Sequence, residues 1–103
     1  MRAFLVSDNH DSLVGMRIAG IPGVLAHGAD ETIRAVRTAL EQDDLGILVL
    51  TERAASEVPD VVRELRQSGE LPIVLEIPDR HGTKRSPDFL TRYVQEAIGV
   101  KVE

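Results

Sequence analysis

GILVLTERAASEVPDVVRELRQSGELPIVLEI, residues 46–77, carries the fold in one stretch. Two runs of branched aliphatics, residues 46–50 and 72–77, read as strands because each is short, continuous and bounded by turn residues. Between them Ala54, Ala55, Val58, Val61, Val62 and Leu65 recur on one helical stripe. A strand, a helix and a second strand joined this tightly form a βαβ unit, whose right-handed crossover lays the helix on one face of a parallel sheet. Pro59 removes a backbone donor within the helical stretch, so a kink or a restart is expected there, and Gly69 closes it.

Toward the N-terminus, residues 3–6 and 24–27 supply two more aliphatic strands. Residues 12–19 form a short helix that stops at Gly20, ahead of Pro22. Asp30 is expected to cap the next helix, with Ile33, Val36 and Leu40 inward and Arg34, Arg37 and Glu41 outward. Beyond residue 77, Pro78 ends the fourth strand and the stretch to Pro87 is polar, with Gly82 inside it. Ser86 then caps a last helix, with Pro87 at its first position and Asp88 in its first turn, and Gly99 stops it. The predicted architecture is α/β and flavodoxin-like: a four-stranded parallel sheet with flanking helices and a C-terminal helix. Residues 1–78 make the sheet core, and residues 79–103 add a polar loop and the C-terminal helix to the same single domain.

Composition narrows the function classes. Phe4, Phe89 and Tyr93 are the whole aromatic complement, which leaves little surface for stacking on nucleic-acid bases. A net charge of −5 repels phosphate backbones and anionic lipid, so neither nucleic acid nor a membrane surface is an expected partner. With no cysteine there is no disulfide, thiolate metal site or cysteine nucleophile. The apolar run at residues 3–6 is far below the roughly 20 residues of a membrane span, and the reading is a soluble cytoplasmic chain.

In open parallel sheets ligands bind beyond the carboxyl ends of the strands, here residues 7–11, His27, Thr51 with Glu52, and residues 78–81. Asp8, Asp11 and Glu52 are hard oxygen ligands that would suit Mg²⁺ if they converged, as in phosphorylatable receiver domains. Such a receiver ends its third strand in aspartate, where this chain has Thr51 and Glu52, so turn and helix-start duties are the better reading of these acids. Neither a GxGxxG nor a GxxxxGK[ST] pattern follows any strand, and no cofactor is expected. His10, His27 and His81 stand singly, without paired metal-ligand spacing. Glu76, in a strand otherwise of Ile, Val and Leu, either pairs with Arg17 or Arg80 or faces solvent.

Four stretches together resemble the F subunits of V/A-type rotary ATPases, in their bacterial type: SDNHDSLVGMRIAGI at residues 7–21, GILVLTE at 46–52, LPIVLEIPDRHG at 71–82 and YVQEAIG at 93–99. The turn at residues 8–11 is one residue longer than the common family form, and Met16 stands where Phe is frequent. The resemblance implies a non-catalytic central-stalk component, held against the coiled-coil D subunit and through the complex linked to the A/B catalytic head and the membrane-ring adaptor. It implies a part in coupling ATP synthesis or hydrolysis to proton or sodium transport, at the cytoplasmic side and peripheral to the membrane. In isolation the chain is expected to be a monomer. The alternatives from other classes are a degenerate receiver-like regulatory domain and a small flavodoxin-like enzyme or flavin binder.

The expected partner surface lies between residues 79 and 96. Residues 1–77 carry seven Arg against thirteen acids, whereas residues 78–92 carry Arg80, Lys84, Arg85 and Arg92 against Asp79 and Asp88. At about 100° per residue, Leu90, Val94, Ala97 and Ile98 form an aliphatic side of the last helix, and Phe89, Arg92, Tyr93 and Glu96 form a neighbouring one. The aliphatic side is expected on the domain. The aromatic side is left for a partner, because aromatics and Arg are enriched at interface cores. The candidate partner-binding residues are therefore Arg80, Lys84, Arg85, Phe89, Arg92, Tyr93 and Glu96.

Overall fold

The computed structural model describes residues 2–78. Its strands are β1 (Arg2–Ser7), β2 (Gly23–Leu25), β3 (Leu45–Thr51) and β4 (Ile73–Ile77), and its helices are α1 (His10–Ile18), α2 (Gly28–Leu40), α3 (Glu52–Glu57) and α4 (Pro59–Ser68). The strands form one parallel sheet in the order β2-β1-β3-β4. This is the α/β, flavodoxin-like arrangement that the alternation of strands and helices predicts. The predicted loop and helix of residues 79–103 lie outside the described residues.

Every residue of β3 is buried. Its alternating side chains therefore feed two cores. Leu48 and Leu50 join Val6, Val36, Ala39, Ala55 and Val62 on the face covered by α2, α3 and α4. Ile47 and Val49 join Leu5, Leu13, Met16 and Ile77 on the opposite face, where α1 packs on β1 and β2. Burying one such aliphatic side chain stabilises the fold by about 1.5–3 kcal/mol, so this strand contributes more than any exposed contact can.

Several boundaries differ from the sequence expectation. α1 begins at His10 rather than residue 12, because the Asn9 side chain accepts the Ser12 amide at 2.7 Å and so supplies the cap. β2 covers Gly23–Leu25 rather than residues 24–27: the Ala26 amide still reaches the Ser7 carbonyl, but β1 ends there and His27 has no strand left to pair with. α2 starts at Gly28, with His27 in the cap position and making no side-chain cap bond, so Asp30 is not the cap. It lies in the first turn, where a negative charge favourably meets the helix dipole.

The inward face of α2 is also rotated from the expected stripe. Thr32, Val36 and Ala39 are buried, Ile33 is half-buried and Leu40 is exposed. Thr32 can be buried because its hydroxyl donates to the Gly28 carbonyl at 2.7 Å within the helix itself. Pro59 produces a restart rather than a kink. The preceding Val58 adopts φ −135° and ψ 54°, outside the helical region, as the ring of a following proline requires, and Pro59 opens α4. Gly20 and Gly69 end their helices at φ 84° and 71°, as their positions predict.

Gly23 is a packing constraint. A methyl group placed there would stand 2.6 Å from the Leu5 carbonyl oxygen and 2.7 Å from Leu5 Cβ, against the backbone of the neighbouring strand. Gly23→Ala is accordingly expected to lower the unfolding free energy by about 1–3 kcal/mol, an overpacking cost measurable by urea denaturation. An unchanged midpoint would show that β2 can move away from β1 freely.

Candidate functional site

The carboxyl ends of β1 and β3 are joined by side chains. Thr51 Oγ1 donates to Asp8 Oδ1 at 2.7 Å and accepts the amides of Asp8 and Ala54, each at 3.3 Å. One hydroxyl thus ties β1 to β3 and caps α3. Ser7 Oγ donates to the Asn9 carbonyl and accepts the Asn9 amide, while Asn9 Nδ2 donates to Asp8 Oδ1 at 3.0 Å. These groups are committed to shaping the turn between β1 and α1. Thr51 is fully buried, so its hydroxyl holds structure and cannot meet a substrate as a nucleophile.

Two clefts flank this network. One, of about 260 Å³, is lined by Asp8, His27, Gly28, Arg53, Ala54 and Glu57. The other, of about 420 Å³, lies against α3, α4 and β4, where Glu52 and Glu76 meet an apolar floor of Ala55, Pro59 and Val62. Asp8 and Glu52 therefore line separate clefts, and Asp11 belongs to the first turn of α1. Among the described residues no three His, Asp or Glu side chains come together as a metal-ligand group. Nor is any helix among them long and apolar enough to cross a membrane.

Glu76 pairs with Arg66 Nη2 at 3.4 Å, both side chains being partly exposed. Arg66 is not among the expected partners: α4 crosses back over β4 and carries it to Glu76, a proximity that spacing along the chain does not reveal, while Arg80 lies outside the described residues. Arg53, in the strand-end cleft, had no sequence signal beyond its place after Glu52. The candidate partner-binding residues Arg80, Lys84, Arg85, Phe89, Arg92, Tyr93 and Glu96 all lie outside the described residues, as does His81.

The ends of β1 and β3 are tied together by their own turns, and the identity of the chain is carried by its whole length. The sequence model of one family, the ATP synthase (F/14-kDa) subunit, matches residues 4–94. The chain belongs to this family. It is 35% identical to the F subunit of the A-type ATP synthase of Pyrococcus furiosus, with 96% of each chain covered. It is 34% identical to the A-type ATP synthase F subunit of Thermococcus kodakarensis, covering 100% of this chain and 99% of that one. It is 25% identical to that of Methanocaldococcus jannaschii over the full length of both. The resemblance to the F subunits of V/A-type ATPases read from the sequence is thereby shown. The family match begins within β1, takes in β2 through β4 and continues past residue 78, so it includes six of the seven candidate partner-binding residues, Glu96 lying just beyond it.

Two buried hydroxyls of this chain make a contrast that can be measured. Thr51→Val leaves Asp8 and the first turn of α3 without their shared partner and is expected to cost about 1–3 kcal/mol. Ser12 Oγ is buried with no hydrogen-bond partner among the described residues, so Ser12→Ala should leave stability unchanged or raise it by up to about 1 kcal/mol. Denaturant titrations of both variants check this; equal losses would mean that the strand-end network carries no special share of the fold.

Proposed function

We propose that this chain is a non-catalytic rotor component of a V/A-type ATPase, seated on the coiled-coil D subunit of the central stalk. There it helps couple ATP synthesis or hydrolysis to proton or sodium transport. The observation that carries the reading is the likeness, over 96% or more of each chain, to proteins named as F subunits of A-type ATP synthases. Through the complex the chain is linked to the A/B catalytic head and the membrane-ring adaptor, on the cytoplasmic side and peripheral to the membrane. A non-catalytic role fits the strand ends, where Ser7, Asp8, Asn9 and Thr51 bond to one another and to backbone.

The shaft is gripped by residues 79–96, and these residues with the rest of 79–103 complete the same domain. Two features support this. The sequence reverses its charge balance there, and aromatic and Arg positions lie beside an aliphatic side formed by Leu90, Val94, Ala97 and Ile98. On the sheet, α1 is the one described helix on its face and packs on β1 and β2, which leaves the β3 and β4 side of that face for the aliphatic positions.

Phe89→Ala, Tyr93→Ala and Arg92→Glu are each expected to weaken binding to purified D subunit by about 1–3 kcal/mol while leaving the melting temperature in place. Calorimetric titration and melting curves separate the two quantities. Unchanged affinity with a sharply lowered melting point would assign these side chains to the core. Failure of the D subunit to copurify with the wild-type chain on co-expression would remove the reading itself.

A further inference from the structure

We infer a second docking surface at the amino-terminal end of the sheet, whose partner is a basic, aliphatic helix of another protein. It is separate from the surface assigned to residues 79–96. A hollow of about 480 Å³ lies there, lined by Leu40, Gln42, Asp43, Asp44, Leu71 and Pro72 together with the start of β3. Leu71 is 60% exposed and Leu40 36%. Chain segments some thirty residues apart in sequence bring these aliphatic groups to one place, and isolated exposed aliphatics would not gather in a concavity.

The rim gives the partner its charge. Glu41, Asp43 and Asp44 follow directly on the carboxyl end of α2, and Glu70 precedes Leu71. Arg2 meets Asp44 at 3.7 Å, with both side chains more than half exposed. The last turn of α2 does carry a cation, Arg37, but three acids then sit where the helix dipole is negative and cations are favoured. This arrangement costs the free chain stability. A positively charged partner reverses that cost, and aliphatic side chains on the same partner fill the hollow. A helix with Lys or Arg flanking a Leu stripe meets both conditions.

The probe is a synthetic helical peptide of alternating Leu and Lys heptads, titrated into the full-length chain and followed by amide chemical shifts, with the same peptide carrying Glu for Lys as its counterpart. Binding of the Lys peptide should map to residues 40–46 and 70–73. Leu71→Ser and Asp43→Lys should each weaken it at least tenfold, whereas Ile18→Ser, an exposed aliphatic on α1, should not. Asp43→Lys should also raise the melting temperature of the free chain, which distinguishes a site held at a cost from an ordinary surface acid. Shifts spread over the whole acidic surface, equal affinity for the Glu peptide, or no effect of Asp43→Lys on either quantity would overturn the inference. The assay involves no stalk protein, so its outcome is independent of the D subunit result.

Discussion

Burial of β3 on both faces is the constraint on which the rest of the structure depends. A strand with Leu45 to Thr51 all buried requires cover above and below, so the chain must place helices on opposite sides of the sheet. Handedness does the remaining work. Moving from β1 to β2 in one direction and from β2 to β3 and β4 in the other puts α1 on one face and α2 to α4 on the other. Gly23 follows from the same demand, since a narrow β2 lets β1 be flanked closely while its own Leu5 and Val6 feed the two cores.

The elements visible in the sequence were those set by local chemistry. Continuous aliphatic runs, the left-handed glycines at 20 and 69 and the proline at 59 act over a few residues, and each does in the structure what its chemistry requires. What the sequence hid was set by groups that satisfy one another through space or within a turn. Thr32 lies outside the expected stripe of Ile33, Val36 and Leu40, but a carbonyl of its own helix accepts its hydroxyl and frees it to be buried. Glu76 reads as a strand-end oddity, but its partner Arg66 comes from the helix that folds back beside it. The strand-end site was legible as a place and not as a network: nothing in the spacing of Asp8 and Thr51 announces a bond across 43 residues.

That network gives the carboxyl ends of β1 and β3 a structural duty at the usual ligand position of a parallel sheet. Ligands at such a position use free backbone amides and unpaired side chains at the first turns. In this chain the Asn9 side chain occupies the amide of Ser12, Thr51 occupies those of Asp8 and Ala54, and the Glu31 carboxylate reaches back to the amide of His27. Four of the backbone donors at these turns thus bond to side chains of the same turns or of the neighbouring strand end.

Charge on those surfaces has little to do with holding the fold. The ion pairs Arg2 with Asp44, Arg63 with Asp60 and Arg66 with Glu76 are all substantially exposed, and exposed pairs contribute only about 0–1 kcal/mol each. The acidic excess can therefore be placed wherever another demand puts it, at small cost in stability. It is not placed evenly: Glu41, Asp43, Asp44 and Glu70 cluster at the amino end of the sheet, while the chain leaves β4 at the opposite end and enters its most basic stretch in sequence. An acidic cluster at one end of the sheet orients a small domain in the field of a basic partner before contact, raising the share of encounters that arrive in register. For a subunit of a larger assembly, correct orientation on its neighbours is a property that folding alone does not supply, and one that a surface charge pattern is free to encode.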